Sequence, residues 1–159
     1  RVHYRALNDF PSTSLYPGML QLLGTLRRNR IRNVIVTNKP RQALERLLIA
    51  KGWVNLFDDW ITPDWWGDRD PMSKATMFAR VIERYGMSVN ECVTVGDTWG
   101  DAAAARSVGI DCIAVTYGDG DAALMAAQSP EYMVDDVESV ANVLLGRSPA
   151  NSTTYERSA

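Results

Sequence analysis

The chain has 159 residues, 46% hydrophobic and 23% charged, which is the balance of one globular domain with a single core. Seventeen Lys and Arg against nineteen Asp and Glu give a net charge of -2, so the basic surplus that nucleic-acid phosphates require is missing. No apolar run approaches the roughly 20 residues of a membrane-spanning helix, and no leader is visible, so we expect a cytoplasmic protein without nucleic-acid or membrane partners.

In the first half of the chain, apolar spacing predicts two helices and two strands. Leucines at helical spacing follow Pro17, and the β-branched run 34–36 predicts a strand buried on both faces. A helix opened by Pro40 would bury an apolar face over 43–48. A short strand is expected around 60–61, followed by a long loop over 62–71.

The second half continues the alternation of helices and strands. A helix capped by Ser73 should run to about residue 85, and a buried strand should follow over 92–95. Later elements are expected as helix 102–107, strand 112–115, a weak helix through 127, strand 132–134 and helix 137–145. This order predicts an α/β fold: a three-layer Rossmann-like parallel sheet with helices on both faces.

Asp97 and Asp101 lie four residues apart where a predicted strand passes into a helix, so their side chains project on the same side. Two carboxylates there repel each other unless a cation lies between them, and Mg²⁺ takes one or two carboxylates plus water and substrate oxygens. Gly96 would let a ligand approach the backbone. In the structural alternative, both acids stabilise the N-terminus of the helix, with Asp97 as its cap.

Two further positions carry groups suited to a phosphate. Thr37 and Asn38 offer a hydroxyl and backbone N–H groups at a helix start, where an ordinary Thr cap is the alternative. Lys74 opens a helix whose positive N-terminus disfavours a cation, so its side chain should reach solvent or pair with a phosphate and with Asp97. Together with the paired aspartates, these groups describe a metal-assisted phosphate pocket at the carboxyl ends of strands.

These residues resemble the haloacid dehalogenase (HAD) superfamily, most closely its phosphoglycolate-phosphatase-like branch. The resemblance covers residues 15–145 and rests on LYPGM, VIVTNKP, the lysine Lys74, VTVGDTWGDAAAARSVGI and AVTYG. It implies a HAD-like core, Mg²⁺ as cofactor, and hydrolysis of a phosphomonoester of a small phosphorylated metabolite.

The resemblance also implies a role for each matching residue. Thr37 would bind the phosphoryl group with help from the Asn38 backbone. Lys74 would neutralise that group and orient the nucleophile. Asp97 would ligate Mg²⁺, and Asp101 would support it. One departure is that Lys74 stands in DPMSKATMF, where close relatives usually carry a Lys-Pro-x-Pro stretch.

The nucleophile motif of the family, DxDx[TV] at the end of a first strand, is missing from this sequence. The best candidate is the segment 9–13, which begins with Asp9, but Pro11 stands where the general acid should be. Too few residues separate Thr13 from the Pro17 helix to form a flap or a cap domain. We therefore expect residues 1–14 to be a remnant of a helical cap, 15–146 to be the HAD-like core without its first strand, and 147–159 to be a flexible polar tail.

Two functional classes follow from this absence. The chain is either the carboxyl-terminal part of a phosphatase, inactive alone, or a catalytically inactive relative that binds a phosphorylated ligand or a protein. A receiver domain is excluded, because its acidic pair would precede the Thr and Lys. In the family the nucleophile strand lies between the strands ending at Thr37 and Gly96, so these two strands should not pair directly.

Several residues keep two interpretations at this stage. Trp65, Trp66 and Trp99 border the expected pocket, either as an apolar niche or contact surface, or as local core packing. Cys92 and Cys112 lie in apolar runs and are expected to be buried free thiols. The sequence leaves open whether the chain forms a homo-oligomer.

Overall fold

The computed structural model describes residues 10–65, 71–146 and 153–154 of the chain. The chain divides into two compact units, Arg1–Ser73 and Lys74–Ala159. Each unit is an α/β arrangement built around parallel strands. Most of the predicted cap remnant and of the predicted tail lies outside the described residues. None of the helices in the described part of the chain is long and apolar enough to cross a membrane.

The first unit alternates helices with two short parallel strands. Strands β1 and β2 pair with Val34 opposite Asp59 and Val36 opposite Ile61. The elements are α1 (Met19–Arg28), β1 (Val34–Val36), α2 (Arg41–Ala50), a 3-10 turn (Val54–Leu56) and β2 (Asp59–Ile61).

Both helices of the first unit bury the apolar face that their spacing predicts. The buried side chains of α1 recur at intervals of one, three and four residues, and those of α2 follow the same period, because residues at these intervals share one face of a helix. Removing these faces from water stabilises the unit. The buried residues are Leu22, Leu23 and Leu26 in α1, and Ala43, Leu44, Leu47 and Leu48 in α2.

The second unit holds a four-stranded sheet in the order β3-β4-β5-β6. The first three strands are parallel, and β6 is antiparallel to β5, so two residues of the predicted tail form a strand that their polar sequence did not indicate. The elements are α3 (Lys74–Tyr85), a 3-10 turn (Val89–Glu91), β3 (Val93–Gly96), α4 (Trp99–Val108), β4 (Asp111–Val115), α5 (Ala122–Ala126), β5 (Tyr132–Val134), α6 (Val137–Leu144) and β6 (Thr153–Thr154).

The apolar run of β1 predicts burial on both faces, but all three of its residues are only half-buried. Strand β3 differs from its prediction in the same way. Its run of apolar residues predicts a strand buried on both faces, but Val93 and Val95 are 43% and 41% exposed. Cys92 precedes the strand and is only half-buried. The physical reason is position, since β3 is the terminal strand of its sheet whereas β4 lies between two neighbours and buries 112–115 completely.

The strands of each unit pair with strands of the same unit. In the described residues, β1 pairs with β2 alone and β3 pairs with β4 alone. The expectation that the strand ending before Thr37 and the strand ending at Gly96 do not pair directly stays a prediction.

Candidate functional site

Lys74 and Asp101 form an ion pair inside the second unit. Lys74 is the first residue of α3, Asp101 lies in the first turn of α4, and the packing of α3 against α4 brings the two side chains together. The Lys74 Nζ contacts Asp101 Oδ1, and the two side chains are only 18% and 9% exposed. Lys74 therefore has a carboxylate partner, but that partner is Asp101 rather than the Asp97 expected from the sequence.

The other oxygen of Asp101 belongs to the cap of α4. Thr98 is the N-cap residue, and Asp101 Oδ2 accepts hydrogen bonds from the Thr98 backbone N–H at 3.1 Å and from Thr98 Oγ1 at 2.7 Å. In return, the Asp101 N–H donates to Thr98 Oγ1 at 3.3 Å. The helix-capping alternative thus holds for Thr98 and Asp101, whereas Asp97 is not the cap.

Gly96 leaves room for the Asp101 side chain. A Cβ atom at position 96 would overlap the Asp101 carboxylate, although Gly96 itself has no positive φ. Asp101 Oδ1 contacts Lys74, and Asp101 Oδ2 accepts hydrogen bonds from Thr98. The geometry therefore makes Asp101 a positioning group for Lys74, and its predicted support of Mg²⁺ stays a prediction.

Asp97 is the residue that retains a free carboxylate oxygen. It directly follows β3, is half-buried, and accepts a hydrogen bond through Oδ2 from the Asp119 backbone N–H at 3.0 Å. Its Oδ1 accepts no hydrogen bond from any described residue. One free carboxylate oxygen fits the hard, oxygen-preferring Mg²⁺ ion, which usually keeps several waters and takes few protein ligands. In the described ranges, no group of three or more His, Cys, Asp or Glu side chains is close enough to hold a metal.

Thr37 and Asn38 follow β1 in the first unit. The Thr37 N–H donates to the Ile61 carbonyl at 3.2 Å, which extends the pairing of β1 with β2 by one residue. Thr37 Oγ1 accepts from the Lys39 N–H at 3.2 Å, so its hydroxyl hydrogen remains available as a donor. Asn38 is exposed and forms no hydrogen bond with the described part of the chain.

A group that the sequence did not indicate, Asp64, follows the end of β2 and contacts the start of α2. Asp64 Oδ1 accepts from the Arg41 N–H at 2.9 Å and from Thr62 Oγ1 at 2.8 Å, so Asp64 caps the start of α2 from a distant position. Although burial raises the pKa of Asp64, the hydrogen bonds from Arg41 and Thr62 lower it more and leave it below its ordinary value. Only a structure reveals such a cap, because 23 residues separate its partners.

The three tryptophans have different environments. The Arg41 guanidinium lies 4.3 Å from the centre of the Trp65 ring, which is a cation–π contact. Trp99 begins α4 and is 54% exposed. Trp66 lies outside the described residues. Trp65 thus contacts Arg41 within the first unit, while Trp99 presents an apolar surface two residues after Asp97.

Of the two cysteines, only Cys112 has the expected burial. Burial raises the pKa of Cys112 to about 12, and the charges of Glu131 and Asp101 act in the same direction. Cys92 is half-buried. Its pKa is also raised, first by burial and then by the negative charge of Glu91. Both thiols are free, so neither forms a disulfide.

Comparison with known proteins identifies the family. The family model for haloacid dehalogenase-like hydrolases matches residues 3–109, more than half of the chain, and this range includes Thr37, Lys74, Asp97 and Asp101. The chain belongs to the haloacid dehalogenase-like hydrolase family. Its α/β fold with parallel strands is the fold of that family.

Curated relatives narrow the placement within the HAD family. A phosphoglycolate phosphatase of Pseudomonas putida is 30% identical over 128 residues, which are 80% of this chain and 46% of the relative. A phosphoglycolate phosphatase of Synechococcus elongatus is 31% identical over 134 residues, 82% of this chain and 60% of the relative. The chain spans about half the length of the curated relatives it matches, and it falls in the phosphoglycolate-phosphatase-like branch.

Solved structures of HAD proteins share the fold. A protein described as a predicted phosphoglycolate phosphatase from Haemophilus somnus aligns with a TM-score of 0.70 at 26% identity, over 83% of this chain and 56% of its own. A haloacid dehalogenase-like hydrolase from Streptococcus pneumoniae aligns with a TM-score of 0.73 at 21% identity, over 82% of this chain and 60% of its own. At that identity, the second likeness concerns the fold alone.

Proposed function

We propose that this chain carries the phosphate- and metal-binding half of a Mg²⁺-dependent phosphomonoester hydrolase that acts on a small phosphorylated metabolite in the cytoplasm. The observation that carries the proposal is the nearly buried Lys74–Asp101 ion pair, because a structural role alone gives little reason to place an ammonium at a positive helix N-terminus. Phosphoglycolate is the first substrate to test, since the two relatives described above are named phosphoglycolate phosphatases.

Lys74 is the group that we assign to charge neutralisation. Phosphoryl transfer is catalysed mainly by positioning and by positive charge placed against the phosphoryl oxygens. Asp101 holds the Lys74 ammonium in one place, and Thr98 in turn holds Asp101 through two hydrogen bonds. Such a chain of contacts fixes a flexible lysine before the substrate arrives and so reduces the entropy that binding would cost.

Thr37 and Asn38 are assigned to the phosphoryl oxygens. The Thr37 hydroxyl keeps its hydrogen for donation because the Lys39 N–H occupies an acceptor position on the oxygen. Asn38, an exposed residue, follows directly at the end of β1 and supplies a second N–H. Two donors at the carboxyl end of a parallel strand match the place where α/β proteins bind their ligands.

Asp97 is the residue that would hold Mg²⁺, through Oδ1. When bound, Mg²⁺ supplies positive charge to the phosphoryl oxygens and so lowers the cost of the charge that develops on them. Asp101 would support this site through Lys74, which its Oδ1 contacts.

The proposal assigns the nucleophile to sequence that this chain does not contain, so we expect the chain alone to be inactive. The exposed valines of β3 support this over the alternative of a complete, inactive phosphate-binding relative, because a complete sheet would be expected to cover them. The alternative keeps one observation in its favour, which is that no DxDx[TV] motif occurs in the 159 residues.

The experiment combines binding with turnover. Titration with inorganic phosphate in the presence of Mg²⁺, followed by ³¹P NMR, should show binding to the chain. Lys74→Ala should weaken it roughly 10- to 100-fold, the equivalent of a lost charge-assisted hydrogen bond. Lys51→Ala is the matched control, because Lys51 lies at the end of α2 and has no part in the proposed site.

Turnover is measured with an aryl phosphate and Mg²⁺, and none is expected. Hydrolysis that Asp9→Asn abolishes would identify Asp9 as the nucleophile and would overturn the assignment of the nucleophile to another segment. Failure of phosphate to bind the unaltered chain, or equal binding by Lys74→Ala, would overturn the proposed role of this site.

A further inference from the structure

We propose that the loop over residues 116–120 is a clamp that fixes Asp97 and leaves one of its carboxylate oxygens for a divalent cation. The inference rests on the proposed function and deepens it, because it identifies what positions the Mg²⁺ ligand. The loop follows β4, and its residues come to Asp97 because β3 and β4 are paired in parallel register, with Gly96 opposite Ala114.

The first contact of the clamp is a hydrogen bond to the carboxylate. The Asp119 backbone N–H donates to Asp97 Oδ2 at 3.0 Å. The donor is a backbone group, so it is held by the loop and not by a side-chain rotamer. This hydrogen bond restricts rotation of the carboxylate and so restricts the directions that its other oxygen can take.

The second contact is close packing at two glycines. A Cβ atom at Gly118 would overlap the Asp97 side chain, and a Cβ atom at Gly120 would overlap the Asp97 backbone carbonyl. Neither glycine has a positive φ, so the backbone conformation does not explain why glycine stands there. The space occupied by Asp97 does explain it, because any larger residue would displace Asp97 or the loop.

Together these contacts favour a ligand that binds through a single oxygen. Mg²⁺ demands near-ideal octahedral geometry with short bonds to oxygen, so a ligand fixed in advance suits it better than one that must be ordered on binding. Groups that position a metal ligand through hydrogen bonds typically change metal affinity 10- to 100-fold when they are removed. Gly118, Gly120 and the Asp119 N–H are therefore positioning groups that act through Asp97.

The test uses the intact chain and Mn²⁺ as a paramagnetic substitute for Mg²⁺. In ¹⁵N NMR spectra, Mn²⁺ should broaden the amide signals of Asp97 and Asp119, and added Mg²⁺ should reverse the broadening. Gly118→Ala should weaken Mn²⁺ binding about 10- to 100-fold. Gly100→Ala is the matched control, because a Cβ there meets only Thr98 Oγ1 at 3.6 Å, an ordinary contact. It should bind Mn²⁺ as the unaltered chain does.

A second readout needs no metal. Exchange of the Asp119 amide hydrogen with solvent should be slow in the unaltered chain and in Gly100→Ala, and several-fold faster in Asp97→Ala, which removes the acceptor. This comparison still applies if Gly118→Ala does not fold. Equal exchange rates in Asp97→Ala and the unaltered chain, or unchanged Mn²⁺ affinity in a folded Gly118→Ala, would overturn the clamp. Slow exchange without any Mn²⁺ broadening in the unaltered chain would instead overturn the Mg²⁺ site of the proposed function.

Discussion

At the scale of single residues, Lys74 and Asp101 depend on each other because each would be a nearly buried charge without the other. An isolated charge in that position loses the solvation it has in water, and this penalty exceeds what one weak contact returns. Asp101 also keeps its hydrogen bonds to Thr98, so it remains partly satisfied when Lys74 is removed. The two residues should therefore be energetically coupled.

Lys74→Ala should lower the free energy of unfolding by about 1–3 kcal/mol, because the Asp101 carboxylate loses its cation in a poorly solvated position. Urea denaturation of Lys74→Ala, Asp101→Asn and the double variant measures the coupling. Arg80→Ala on the same helix is the control, since the exposed Arg80–Glu83 pair should contribute about 0.5 kcal/mol or less. Additive effects of the Lys74 and Asp101 substitutions would contradict the predicted coupling.

The spacing of Asp97 and Asp101 could not reveal their different roles. Four residues of separation place both near a helix start, but the spacing does not say which residue is the cap. A sequence signal was present in Thr98-Trp99-Gly100-Asp101, the pattern of a capping box with an acid at its third helical position. The partner of Lys74 depends on the packing of α3 against α4, which no local pattern records.

At the scale of secondary-structure elements, β3 and β4 have similar apolar sequences and opposite environments. Four residues of β4 are buried in succession, whereas alternate residues of β3 are exposed. Sequence predicts that both are strands, because β-branched and apolar residues favour extended backbone. It could not rank their burial, because that depends on whether another strand lies at the edge of β3.

Val93→Thr and Val95→Thr should each change the free energy of unfolding by about 0.5 kcal/mol or less, since substitutions at exposed positions rarely do more. Val115→Thr on β4 is the matched comparison, because Val115 is 6% exposed and the new hydroxyl would be buried. It should lower stability by about 1–3 kcal/mol. Urea midpoints measure all three variants. A large loss at Val93 or Val95 would mean that these side chains are covered in solution.

At the scale of the whole molecule, the buried thiol of Cys112 makes stability depend on alkaline pH. Its pKa rises from an ordinary value of 9.0 to about 12 on folding, chiefly through burial. Between these values the folded chain binds the proton that the unfolded chain has lost. The free energy of unfolding should therefore fall as pH rises above about 9.

Urea denaturation from about pH 8 to about pH 10.5 measures this dependence. Cys112→Ala should reduce the dependence of the free energy of unfolding on pH. Cys92→Ala should reduce it less, because Cys92 is only half-buried. In the native chain, a thiol reagent should modify Cys92 faster than Cys112, since the thiolate is the reactive form. Equal slopes in the two variants would contradict the assignment to Cys112.

The sequence predicted most of the regular structure of the described chain and the residue types of the site. The spacing of apolar residues was sufficient to predict which residues of α1, α2 and the central strand β4 are buried, because their burial follows the local pattern. It was insufficient for contacts across the chain, such as the Asp64 cap on Arg41 and the Asp119 N–H on Asp97. Such contacts depend on which strands are neighbours, and that order is a property of the assembled sheet.

Positions 96 and 101 share one volume, since the Asp101 carboxylate occupies the space that a side chain at Gly96 would need. The two positions should therefore vary together during evolution. A larger residue at 96 would require a smaller one at 101. Lys74 would then lose its partner, and the residue at position 74 should change as well. We expect a covarying triplet of glycine, aspartate and lysine in an alignment of relatives.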